Sequence, residues 1–135
     1  MRVERYSEDE AEEQLLKLEY RLAQIERVEA CQDNYLSFVR SMWPEFIAGR
    51  HHKIMAEKLE RVAKGELKRL IINMPPRHTK SEFASYLFPA WMIGKNPAMK
   101  IIQATHTTEL AVNFGRKIKN LLERDEYLEI FPEAA

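Results

Sequence analysis

Between Glu8 and Ala30 the apolar residues Ala11, Leu15, Leu18, Leu22 and Ile25 recur at steps of four and three. Side chains on a helix turn by about 100° per residue, so this spacing lines one helical face. Ser7 precedes the run and Glu10 follows three residues on, a capping-box pattern that starts the helix at Glu8. Glu12, Glu13, Glu19, Glu26 and Arg27 fall on the opposite side. Two to three heptads are too few to assert a coiled coil. The stripe is expected to pack on the rest of the chain, with contact to another subunit as the alternative.

From Asn34 to Gly49 the chain is aromatic, with Tyr35, Phe38, Trp43 and Phe46. Pro44 either sits in the first turn of a short helix or ends one. A helix from His51 to about Lys64 is predicted next, with Met55, Leu59 and Val62 on its apolar face and Gly65 as its C-terminal cap. Lys68 to Asn73 reads as a strand, apolar on both faces at its centre. Glu82 to Phe88 reads as helix, which Pro89 kinks or restarts, and Phe83, Leu87 and Trp91 share one face. Gly94 to Pro97 is a turn. Met99 to Ala104 is the second predicted strand. Thr107 or Thr108 then caps a helix running to about Glu123, with Leu110, Phe114, Ile118 and Leu121 as its stripe.

Strand, crossover helix, strand implies parallel strands. The fold expected is therefore α/β, the front part of a P-loop NTPase parallel-sheet domain preceded by N-terminal helices. Such sheets usually hold about five strands. The pattern stops after the second strand–helix pair, near Phe131 to Ala135, so the domain is expected to be incomplete. The division expected is a helical arm over residues 1–33 and the ATPase portion over residues 34–135.

Composition adds limits. The chain has 135 residues, 45% hydrophobic and 31% charged, enough for one packed domain. No apolar run reaches the length of a membrane span, and the charged N-terminus lacks a signal-peptide core. The single cysteine, Cys31, has no internal partner for a disulfide, which suits a reducing cytoplasm. The zero net charge hides a gradient. Residues 1–33 hold 10 acidic and 5 basic side chains (net −5), and residues 34–135 hold 11 and 16 (net +5). The mildly basic body is weak support for a polyanionic partner, and solvated faces explain it equally well.

The chemistry concentrates in Met74-Pro75-Pro76-Arg77-His78-Thr79-Lys80-Ser81. A loop that closes on Lys-Ser and opens a helix can hold a triphosphate. Main-chain N–H groups face the phosphates, Lys80 supplies a point charge and the Ser81 hydroxyl reaches Mg²⁺. The strict pattern G-x-x-x-x-G-K-[ST] is not met, because Met74 and Thr79 stand at the glycine positions. A β-branched residue at the second of these narrows the backbone's freedom. An ordinary turn with Lys80 in solvent is the competing reading. Adjacent His51 and His52 do not have the spacing of helical zinc ligands.

Four pieces in order resemble the N-terminal ATPase region of tailed-phage terminase large subunits, the DNA-packaging motors. They are Phe38 through Phe46 with His51-His52, then Gly65 to Asn73, then Met74 to Glu82, then Gln103 to His106 with Leu110 to Arg116. The family's loop resembles Pro-Pro-Arg-x-Gly-Lys-Ser. Pro75, Pro76, Arg77, Lys80 and Ser81 match it and Thr79 departs. The resemblance implies ATP and Mg²⁺ as ligands, with Pro76, Arg77, His78, Thr79, Lys80, Ser81 and Glu82 around the nucleotide and Ser81 on the metal. Lys80 is then catalytic. Arg77 is either a charge-stabilising group for the transferring phosphoryl or a structural tie. His78 is expected to be an exposed loop residue.

His52, with Trp43 and Phe46, either shapes an adenine pocket or packs in the core. Thr105 and His106 either sense nucleotide state, touch DNA, or simply cap a helix. Arg116, Lys119 and Asn120 form a face for phosphates or for solvent. The partners implied are duplex DNA, the portal, the small terminase subunit and further copies in a ring. The place implied is the host cytoplasm and, transiently, the procapsid. No apolar strand ending in Asp-Glu and no carboxylate cluster for a two-metal nuclease is present, so this chain alone is expected to bind nucleotide weakly and to hydrolyse it inefficiently. The alternatives are another helicase-like translocase, or a non-catalytic partner-binding module with a degenerate loop.

Overall fold

The capping box forms as its residues predict. The Ser7 hydroxyl accepts from Glu10 N–H at 3.2 Å, and the Glu10 carboxylate accepts from Ser7 N–H at 2.9 Å. This starts α1, Glu8–Asp33, in a computed structural model that describes residues 7–134. The first six residues of the predicted arm, and Ala135, lie outside the described residues. Asn34 is extended, ends α1, and caps α2, Tyr35–Met42, by accepting from Ser37 N–H at 2.9 Å. Pro44 ends α2 rather than opening a helix, because Trp43 before it leaves the helical region. Then follows α3, Arg50–Ala63, closed by Gly65 at φ +76, whose amide donates to the Val62 carbonyl.

After an irregular stretch the chain becomes helical again at Lys80. A π-helix spans Glu82–Leu87 and runs directly into α4, Phe88–Lys95. Pro89 is absorbed within this continuous helix. It has no N–H to offer the Ser85 carbonyl four residues back. The Gln103 amide donates there instead, at 2.9 Å. Two further helices complete the chain, α5, Thr108–Leu122, and α6, Asp125–Ile130, before a 3₁₀ turn at Pro132–Ala134. The residue pattern had not suggested α6.

The α/β expectation is overturned. Among the described residues every regular element is helical, with no strand and no sheet. Neither Lys68 to Asn73 nor Met99 to Ala104 has a ladder partner, and a strand exists only through cross-strand hydrogen bonds. Leu70, Ile72 and Met74 rest partly buried against the helices. Ile71 is 85% exposed and Ile102 is 96% exposed. Helices cover one side of each run, and the second cover that two apolar faces suggested is not there.

The core lies between α2, the π-helix with α4, and α6. Tyr35, Phe38, Val39, Phe83, Leu87, Trp91, Tyr127 and Ile130, with Leu121 from α5, are its large fully enclosed side chains. Phe83, Leu87 and Trp91 form the predicted face. Two buried tyrosines anchor backbone carbonyls, Tyr35 to Phe83 and Tyr127 to Ala90, the latter at 2.7 Å. Burial holds both phenols above their ordinary pKa. Trp91 Nε1–H donates to the Cys31 carbonyl at 2.9 Å and fastens α4 to the end of α1. The predicted stripe of α1 does not join this core. Leu15, Leu18, Leu22 and Ile25 are each more than half exposed.

Candidate functional site

The loop gets its shape from two residues with left-handed backbone, Arg77 at φ 65 and Thr79 at φ 57. Non-glycine residues rarely adopt this region, and for a β-branched one it is a true outlier. Thr79 is held there by its side chain. Its Oγ1 lies 2.6 Å from His52 Nε2 and 2.7 Å from the His78 carbonyl. His52 Nδ1 accepts from the Gly49 amide at 3.0 Å. A ring nitrogen that accepts carries no proton, so the proton sits on Nε2 and is donated to Thr79. Thr79 in turn donates to the His78 carbonyl. Every donor in the relay meets an acceptor.

The aromatic lead supports that relay from below. Phe46 meets the His52 ring edge-on at 4.6 Å between centroids, and Phe83 lies 5.5 Å from it. His52 is buried, and desolvation, with a smaller contribution from His51, lowers its pKa and favours the neutral ring. The structure thus places His52 beneath the loop, with both nitrogens engaged, and Phe46 in the core with Trp43 beside it.

The helix that follows begins at Lys80, and its first 5→1 bond runs from Phe83 N–H to the Thr79 carbonyl. The amides of Lys80, Ser81 and Glu82 therefore precede any intrahelical partner, as at every helix start. These amides carry the positive end of the helix dipole. Met74 through Glu82 enclose an open concavity of about 440 Å³. Pro76, Arg77, His78, Thr79, Lys80, Ser81 and Glu82 are thereby brought together.

Among the described residues neither Arg77 nor Lys80 enters an ion pair. His78 is exposed, its Nδ1 3.0 Å from the Pro76 carbonyl. Glu82 turns to Lys117 of α5 at 2.9 Å. The donor set suits a polyphosphate with Mg²⁺: one ammonium, one guanidinium, three amides without helical partners and an exposed hydroxyl on Ser81. The described residues contain no cluster of three His, Cys, Asp or Glu side chains able to hold a metal by themselves.

Thr105 and His106 lie in the segment leading to α5, where Thr105 Oγ1 donates to the Thr107 carbonyl at 2.6 Å. Thr107 is the helix cap, accepting from Leu110 N–H. Arg116, Lys119 and Asn120 are exposed, with Lys119 3.8 Å from Glu123. Two supports escaped the residue pattern, the Lys117–Glu82 pair and the Gln103–Ser85 bond. The second carried a signal, since Pro89 necessarily frees the carbonyl of Ser85. No family model, no curated protein and no solved structure matches the chain.

Proposed function

We propose that the loop Met74 to Glu82 binds a nucleoside triphosphate with Mg²⁺, and that the chain is the ATP-binding part of a DNA-packaging ATPase. One observation carries the nucleotide reading. A left-handed turn delivers the chain into a helix whose leading amides, Lys80 and Ser81 converge on one concavity. A helix start of this kind favours an anion by local geometry, and that support requires no sheet. Packaging as the purpose rests on the four sequence pieces, with duplex DNA, the portal, the small terminase subunit and other copies as partners.

In this reading the amides and Lys80 hold the phosphates, Ser81 contributes one oxygen to Mg²⁺, and Arg77 leans on the phosphoryl oxygens. The metal, when bound, offsets phosphate charge. Glu82 is held by Lys117 and is not spent on the metal. His52 acts through Thr79 and positions the turn. No apolar run of the sequence ends in Asp-Glu, the pair expected to activate water, so binding without efficient turnover is the outcome proposed for this chain.

Calorimetric titration of Mg·ATP into the wild type and Lys80→Ala tests this. Weak, saturable, Mg²⁺-dependent binding is expected, reduced about tenfold or more by the substitution. Equal heats in the two proteins, or no binding up to millimolar nucleotide, would leave the partner-binding alternative as the better account.

A further inference from the structure

The apolar stripe of α1 faces away from the protein's own body. Gln24, Val28, Cys31 and Gln32 are the positions of α1 that lose exposure, on the side where Arg27 also reaches Glu129 at 3.0 Å and Gln32 donates to the Ile130 carbonyl at 2.6 Å. On a helical wheel the centre of Ala11, Leu15, Leu18, Leu22 and Ile25 lies about 130° round from Gln24, Val28 and Cys31. From Ser7 to Ala23 every residue is exposed. Leu15, Leu18, Leu22 and Ile25 are 56%, 60%, 56% and 56% exposed. Nothing in the body can reach this stripe, and the body does not block an approach to it.

The steps of four and three put Leu15 and Leu22 at a and Ala11, Leu18 and Ile25 at d of a heptad. The flanking positions then choose the occupant and its direction. Glu12, Glu19 and Glu26 border the stripe at e rather than lying opposite it, about 60–100° from its centre, and Gln14 and Arg21 fall at g. An antiparallel pair sets e against e along one flank and g against g along the other, which opposes glutamates down the whole of the first flank. A parallel pair sets g against the following e. Arg21 then meets Glu26 of the second copy, and Gln14 meets Glu19 of the second copy, on both sides of the two-fold axis. On the outer surface Lys17 and Glu13 already pair within one helix at 2.5 Å.

We infer that α1 pairs in parallel with α1 of a second copy of this chain through the a and d stripe. The two bodies then project from the same end of the zipper, outward from its axis. This proposal is independent of the nucleotide reading. With little more than two heptads the pair is weak and concentration-dependent.

Sedimentation equilibrium of the whole chain, from about 10 μM to about 1 mM, tests it. A reversible monomer–dimer equilibrium is expected, weakened about tenfold or more in Leu15→Lys/Leu22→Lys. The variant's body melts as the wild type does, because those side chains touch nothing in it. Orientation is read by oxidation. Ala11→Cys alone is expected to give a disulfide-linked dimer, which wild type with its buried Cys31 does not form. A monomer at every concentration, undiminished dimer in the double variant, or cross-linking only when Ala11→Cys is mixed with Ile25→Cys would overturn the proposal.

Discussion

Thr79 Oγ1 lies 2.6 Å from His52 Nε2, and this bond joins the third helix to the turn that opens the fourth. It explains how a β-branched residue occupies a position where glycine is expected. The ring donates, the hydroxyl accepts and passes its own proton to the His78 carbonyl, and the φ of 57 is maintained against its intrinsic cost of about 1–3 kcal/mol.

Two substitutions at Thr79 therefore act differently. Thr79→Gly removes the strained Cβ together with the acceptor. The two effects oppose each other, and stability is expected to change by about 1 kcal/mol or less. Thr79→Val keeps the branched Cβ at a left-handed φ and leaves the His52 N–H without a partner. A loss of about 1–3 kcal/mol is expected. Urea unfolding midpoints check the order, and Mg·ATP titration of Thr79→Gly is expected to show tighter binding than wild type. A valine variant as stable as the glycine one would count against the relay.

The same relay predicts a pH dependence. His52 has its folded pKa lowered from 6.5 by burial and by His51, so the unfolded chain takes up the proton more readily than the folded one. Stability from this group is complete above about pH 6.5 and declines as pH falls from there through the depressed folded value. Unfolding midpoints between about pH 7.5 and 5 are expected to drop more in wild type than in His52→Gln. Parallel curves for the two proteins would contradict this.

Gln103→Ala removes the side chain that, among the described residues, serves the Ser85 carbonyl four residues before Pro89. A loss of about 1 kcal/mol is expected. Hydrogen exchange should quicken in the helix around Ser85 to Trp91, where the freed carbonyl lies, while Leu59 and its neighbours in the third helix keep their protection. Unchanged exchange in that segment would show that something else holds it.

Gly94→Ala is expected to be costly despite its helical setting. A Cβ there would press into the Phe131 ring and lie 2.7 Å from the Tyr127 hydroxyl. Overpacking at such a site costs about 1–3 kcal/mol. Gly115→Ala, on an exposed helix face with open space around it, should instead stabilise by roughly 0.5–1 kcal/mol. Thermal melts of the two variants should move in opposite directions.

The helices were legible because their signals are local. The Ser7–Glu10 box, the Gly65 stop and the Phe83, Leu87, Trp91 face depend on residues within two turns of one another. The loop's membership was legible for the same reason, since Arg77 to Ser81 are neighbours in the chain. Strand identity is a different kind of property. Leu70 to Asn73 announces that it is apolar, but whether its amides meet another strand depends on residues far away, and here none do.

So the amino-acid order alone placed the first, third and fifth helices to within a few residues and showed which segment gathers the ammonium, guanidinium and hydroxyl, while the sixth helix and the unbroken run through Pro89 lay outside its reach. Tertiary structure decided the rest. Burial under Phe46 and Phe83 turned His52 from a possible ligand into the support of a turn. The approach of the fourth and sixth helices to the end of the first left Leu15 to Ile25 in water. Packing depends on distances between segments that no short window of residues contains, and those distances follow only from the whole chain's competition for a common core.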